Sequence, residues 1–235
     1  MPDYKSLEHA LISTLALTRR PVAIAFRDSP PEGVTKFGGV QPSGCSFWKM
    51  ASDGHTFYTV PVDHYNCPIG SYTHNIPLPP EREQELPRTL SLMAETGYLR
   101  MEEVPDIPRV STTPAAIVYA PLSSTPVEPD AVILAGAPGG LMLLHEAAAR
   151  SSAPMQPLFG RPTCMAIPAA MSNAIANSVG CVGNRVYTDL SNGELYSVIA
   201  GRNLQEVTDQ LVTIASANAT LRQYHEGRLA ALRHV

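Results

Sequence analysis

Leucines at positions 7, 11 and 15 recur every four residues, the spacing of one helical face, and predict an amphipathic helix over residues 3–19. Pro21 then opens a continuous apolar run, Val22-Ala23-Ile24-Ala25-Phe26, the pattern of a strand buried on both faces. Residues 28–44 are rich in Pro and Gly and read as a loop, and residues 56–62 read as a second strand. Prolines punctuate a linker over 77–87, and 88–95 can form a short helix. Two more apolar runs, 115–119 and 131–135, predict strands joined through the turn-prone Ser123-Ser124-Thr125-Pro126. The second leads through Gly136-Ala137-Pro138-Gly139-Gly140 into a helix over 141–150. The last third predicts a helical stretch over 169–177, strands at Arg185-Val186-Tyr187 and 195–199, and a long closing helix over 203–235. In that helix Leu204, Val207, Leu211, Ile214 and Leu221 share a face, with Asn203 as its expected N-cap. Without an internal repeat or clean boundary, the expectation is a single domain, 1–235, of α/β or α+β class: a mixed sheet flanked by helices.

Composition narrows the function classes. Hydrophobic residues make up 44% of the 235 positions and charged residues only 16%, the reverse of a disordered chain. A net charge of -4 argues against a nucleic-acid surface, which needs a basic patch. The start, Met1-Pro2-Asp3-Tyr4-Lys5, lacks a basic region followed by an apolar run, and no stretch approaches 18 uninterrupted apolar residues. A cytoplasmic, non-membrane protein is therefore the expectation, with cysteines as thiols or ligands rather than disulfides. The composition is also compatible with a homo-oligomer.

The chemistry-bearing candidates centre on four cysteines, Cys45, Cys67, Cys164 and Cys181. They lie far apart, without the tight Cys-x-x-Cys pairs of zinc ribbons. Each stands beside turn residues: Gly44 before Cys45, Pro68-Ile69-Gly70 after Cys67, Arg161-Pro162-Thr163 before Cys164, and Gly180 and Val182-Gly183 around Cys181. Such residues let backbone wrap closely around a bound group, and a Cys-Pro pair commonly ends an iron–sulfur ligand run. The competing reading is four buried thiols acting as small hydrophobes. Within Asp63-His64-Tyr65-Asn66-Cys67-Pro68, His64 can serve as a metal ligand, a proton donor, the base that activates Cys67, or a plain hydrogen-bonding loop residue. His74 can reach the same loop, and His55 flanks it; His145 and His225 fall on helices. Arg185, four positions after Cys181, can bind an anionic substrate, offset the charge of a thiolate-bound cluster, or form a salt bridge at a strand edge. The glycine-rich turn at 136–140 lacks the order of a phosphate-binding loop, and no Gly-x-Ser-x-Gly or His-Glu-x-x-His motif occurs.

The combination of Cys45, Phe57-Tyr58, His64, Cys67-Pro68-Ile69-Gly70, 129–134, Cys164 and Ser178-Val179-Gly180-Cys181-Val182-Gly183-Asn184-Arg185 resembles the bacterial and archaeal family called domain of unknown function 169. The resemblance spans about residues 7–210 and implies that all four cysteines and His64 occupy family positions. Two segments depart: Cys67-Pro68-Ile69-Gly70 stands where many relatives have Cys-Pro-Gly-Gly, and Val198-Ile199-Ala200-Gly201 where Gly-Ile-Pro is usual. Four matching cysteines favour a [4Fe–4S] cluster held by Cys45, Cys67, Cys164 and Cys181, with His64 as a proton donor behind it and Arg185 anchoring a small anionic substrate. The expected activity is that of an iron–sulfur oxidoreductase or lyase, its partner a small-molecule substrate or an electron-transfer protein. Trp48, near Cys45, can shield the cluster from solvent. Two other readings stay open: a haem- or metal-binding sensor or carrier without turnover, and a metal-free thiol enzyme using Cys67 and His64.

Overall fold

The computed structural model describes residues 2–151 and 155–232. Its centre is a seven-stranded sheet in the order β2-β3-β1-β4-β7-β6-β5. The strands are β1 (Val22–Arg27), β2 (Phe57–Thr59), β3 (Ala116–Pro121), β4 (Ala131–Gly136), β5 (Met155–Phe159), β6 (Ile175–Ser178) and β7 (Leu195–Ala200). Neighbours pair antiparallel except β5 and β6, which run parallel. With helices on both faces, the sheet is the core of one α+β domain.

Alternation along each strand divides the core in two. Val22 and Ile24 of β1, Ile133 of β4 and Val198 of β7 point to one face. Their neighbours Ala23, Val132, Leu134 and Ile199 point to the other. That second face is covered by α1 (Tyr4–Leu15), α5 (Pro138–Arg150) and α8 (Leu204–Leu232), through Leu7, Leu11, Leu141, Leu144, Val207 and Leu211. The first is covered by α2 (Gly44–Ser52) and α6 (Ala166–Ser172), with α3 (Pro68–Thr73), α4 (Glu85–Glu95) and α7 (Val182–Thr188) continuing around its end. Two covered faces explain why β3, β4 and β1 up to Phe26 are apolar without alternation, although their pairing is antiparallel.

Local chemistry sets the helix starts. The Asp3 carboxylate accepts the amides of Lys5 and Ser6 at 3.2 Å each and caps α1. Close packing sets other positions: a Cβ on Gly140 would stand 2.3 Å from the Leu15 carbonyl oxygen, so α5 approaches the end of α1 only with glycine there.

Several expectations are corrected. Arg185-Val186-Tyr187 is helical, part of α7, not a strand. Val182 and Val186 are four apart and both about two-thirds exposed, the mark of an outward helix face. The helix expected over 169–177 is α6, which ends at Asn173 and gives way to β6. The strand expected over 56–62 is cut to β2, because Pro61 opens a 3-10 turn, Pro61–His64. The loop over 28–44 ends in an unforeseen helix, α2, whose Cys45 amide donates to Ser43 Oγ at 3.2 Å. A 3-10 turn, Gly201–Asn203, leads into α8, and the buried Oδ1 of Asn203 finds no partner, so Asn203 does not cap as expected. Leu204, Val207 and Leu211 are buried as the periodicity predicts, but Leu221 is exposed, as the outer part of α8 runs past the sheet. No helix among the described residues is long and apolar enough to cross a membrane.

Candidate functional site

The four cysteines arrive from four separate stretches of chain. Cys45 is the second residue of α2, and Cys67 and Cys181 occupy the N-cap positions of α3 and α7. Cys164 lies in the 3-10 turn Thr163–Met165, directly before α6. All four therefore sit where a helix begins. Together they line one cavity of about 190 Å³ that opens to solvent. Each is a free thiol.

Two hydroxyls tie the cysteine segments in pairs. Ser43 Oγ accepts from the Cys45 amide and lies 3.9 Å from Cys67 Sγ. Thr163 Oγ1 accepts from the Cys181 amide at 2.6 Å, joining the Cys164 turn to the Cys181 turn. The Gly70 amide donates to Cys67 Sγ at 3.3 Å. A Cβ at Gly70 would stand 2.9 Å from that sulfur, so the final glycine of Cys67-Pro68-Ile69-Gly70 is what allows the approach. Gly180, at φ +81°, makes the turn from β6 into the Cys181 segment.

Burial raises the thiols at the bottom of the cavity. Cys45 and Cys164 are each 6% exposed, and desolvation pushes both well above the ordinary thiol range, with the neighbouring sulfurs adding to the effect. A bare thiolate is unfavourable there; bound positive charge reverses that balance. Among the described residues no three His, Cys, Asp or Glu side chains stand close enough to hold one metal ion. A single tetrahedral ion bonded to sulfur at about 2.3 Å draws its thiolates into mutual contact, whereas a multi-iron cluster holds them further apart.

The polar groups around the sulfurs carry a second signal. Tyr119, from β3, is fully buried and its hydroxyl has no hydrogen-bond partner; burial first, and then the nearby sulfurs of Cys45, Cys164 and Cys67, push it well above the ordinary phenol range. Asn184, in α7 and lining the cavity, is also buried; it lies beside Cys45, and neither its amide nitrogen nor its oxygen has a partner of good geometry. Buried donors of this kind normally find an acceptor. Asn184 lines the cavity with the four sulfurs, where a cluster's inorganic sulfides and thiolates would offer acceptors, and Tyr119 lies behind them, so this donor set is compatible with the group.

His64 is 1% exposed and lies behind the cysteines against Gly44, not on the cavity wall. Its Nε2 is 2.7 Å from Thr59 Oγ1, and its Nδ1 has no partner. Burial holds it well below the ordinary imidazole range, so it is neutral near neutral pH. The Cys67 amide donates to its carbonyl oxygen at 3.0 Å, and no hydrogen bond joins its ring to the Cys67 thiol. His74 is fully buried beside it, the two ring centres 5.9 Å apart, and is held down to about 4 by the same desolvation.

Arg185 does not face the cavity. Its guanidinium donates to the carbonyl oxygens of Val179, Leu190, Ser191 and Glu194 and fastens the loops around α7. Both terminal nitrogens are taken up by backbone carbonyls, and Arg185 does not line the cavity where a substrate anchor was expected. The cation that does line the cavity is Arg161. In the sequence it is only one of three residues before Cys164, with nothing to distinguish it. Tyr119 was equally hidden, since in an apolar strand run a tyrosine reads as core. Trp48 is buried and packs edge-on against Tyr196 at 5.8 Å.

The family model for domain of unknown function 169, an uncharacterised ArCR family, matches residues 10–210, and the chain belongs to that family. No curated protein and no solved structure matches it.

Proposed function

We propose that this member of the family is a cysteine-ligated iron–sulfur protein, with a [4Fe–4S] cluster held by Cys45, Cys67, Cys164 and Cys181, and that it acts as a cluster-dependent enzyme on a small substrate. The observation that carries the reading is the convergence of four cysteines, remote in sequence, on the wall of one cavity. The unpartnered Tyr119 hydroxyl and Asn184 amide beside the sulfurs support it, as does the Gly70 amide already donating to Cys67 Sγ. Such donors to cluster sulfur tune its reduction potential. A cluster with four cysteine ligands supplies electron transfer, and one with three leaves an iron free to act as a Lewis acid. His64, as a neutral imidazole under Gly44, has the role of an internal hydrogen-bonding group behind Cys45 rather than a proton supply.

The rival readings have less support. The cavity, at about 190 Å³, is small beside the roughly 300 Å³ and more of clefts for drug-sized ligands, and so is tight for a haem. A thiol enzyme built on Cys67 needs a base at its sulfur, and the ring of His64 is hydrogen-bonded to Thr59 instead.

The test is single Cys→Ser substitution at each of the four positions, with anaerobic purification and iron analysis. The reading expects variants at three or all four positions to lose most of their iron together. Full iron in every variant would overturn it, and loss of activity only at Cys67 in an iron-free protein would establish the thiol reading.

A further inference from the structure

Apart from the thiols, the cavity is walled largely by apolar side chains, among them Leu90 and Met93 of α4, Leu99, Ile107 and Tyr187. Among the described residues lining it, Arg161 is the only charged one. Its guanidinium lies 5.1 Å from the centre of the Tyr98 ring, and one terminal nitrogen donates to Glu103 Oε2 at 2.9 Å. Its Nε–H is buried without an acceptor. Glu103 is shared, because its other oxygen accepts from Arg100 at 2.9 Å. One carboxylate thus serves two guanidiniums, while Glu102, the other acid near Arg100, is exposed and screened by solvent.

A permanently charged guanidinium that shares its one carboxylate with a second arginine, set in an apolar wall, selects a ligand with one negative acceptor and an apolar remainder. A phosphate has more oxygens to satisfy than this wall can serve. Taking the cavity as the substrate site of the function proposed above, we infer that it binds small monocarboxylic acids, with Arg161 holding the carboxylate and Leu90, Met93 and Leu99 packing on the apolar part. The volume, shared with the cluster of the function proposed above, limits the acid to a handful of heavy atoms.

The experiment is calorimetric titration of the anaerobically reconstituted chain with propionate, isobutyrate, their neutral amides and inorganic phosphate, with iron measured on the same sample. The acids bind about tenfold or more tighter than the matched amides, the scale of a hydrogen bond to a charged group. Arg161→Gln abolishes that preference and Arg161→Lys keeps part of it. Glu103→Gln, which frees the guanidinium, tightens acid binding severalfold and leaves amide binding unchanged. A purely structural Arg161 would give no such gain, and this variant keeps the test decisive if Arg161→Gln fails to fold. Equal binding of acid and amide, tighter binding of phosphate, or an acid preference that survives Arg161→Gln would overturn the assignment. Acid preference in an iron-free chain would leave it standing and overturn the cluster; iron without acid preference would do the reverse.

Discussion

The two faces of the sheet treat buried polar groups in opposite ways. On the face under α1, α5 and α8, polar groups are few and, apart from Asn203 just before α8, find partners within the chain. Glu8 accepts from the amide and hydroxyl of Ser123 at 2.8 Å each, and Asn177 Oδ1 meets His145 at 3.0 Å and the Ser197 hydroxyl at 2.7 Å. On the face under α2 and α6, Tyr119, Asn184, His64 and His74 are buried with polar atoms unmatched, around or behind four thiols. The face under α1, α5 and α8, the helical face, can stabilise the fold by apolar burial alone. The thiol-bearing face carries groups that apolar packing does not call for, and such departures from self-consistency mark functional sites.

The largest expected difference between the faces comes from metal removal. Oxidising the purified protein and chelating its iron should lower the thermal midpoint by on the order of 10 °C or more, because ligands from both halves of the chain lose their common centre. An unchanged midpoint in a protein that had held iron would mean that the thiol-bearing face is complete without it. Truncation of the helical face should show the complement. Leu11→Ala or Leu144→Ala, both at fully buried positions, should destabilise by about 2–5 kcal/mol in denaturant unfolding while iron per folded chain stays the same.

The helical face was the more legible of the two. Leu7, Leu11 and Leu15 at helical spacing, and the apolar runs of β1 and β4, are direct records of burial, and they predict the elements that form. The site was legible only in its cysteines: they stand out beside turn residues, and they do meet in one cavity. What escaped was everything whose role depends on three-dimensional neighbours. Tyr119 looks like any strand aromatic, and Arg161 like a loop cation. Arg185 looked like an anchor because its four carbonyl partners come from the turns around α7, which no spacing rule predicts. The same turn chemistry hid α7, whose outward valines imitate a strand.

A smaller difference is expected in acid. His74 is neutral in the fold, held to about 4, whereas the unfolded chain takes up its proton near 6.5. The unfolded state then binds more protons, so stability falls as pH drops through 6.5 and levels off near 4. His74 alone accounts for about 3 kcal/mol of that loss. His74→Phe should flatten this limb in urea melts at pH 7 and pH 4.5; an equally steep limb in the variant would count against burial of a neutral imidazole. The smallest effect on stability should come from Tyr119→Phe. Its hydroxyl has no partner in the chain, so removal should change stability by less than about 1 kcal/mol. The reduction potential should nevertheless move, since a donor beside the thiolates is lost. A variant with an unshifted potential would remove Tyr119 from the site.

The most direct test of the central claim is anaerobic purification of the full chain, with an absorbance scan and iron and sulfide analysis. A brown protein with a broad shoulder near roughly 400 nm, and about four iron and four sulfide per chain, is what a cubane centre on these cysteines requires. A colourless protein that takes up neither iron nor sulfide on anaerobic reconstitution would contradict it.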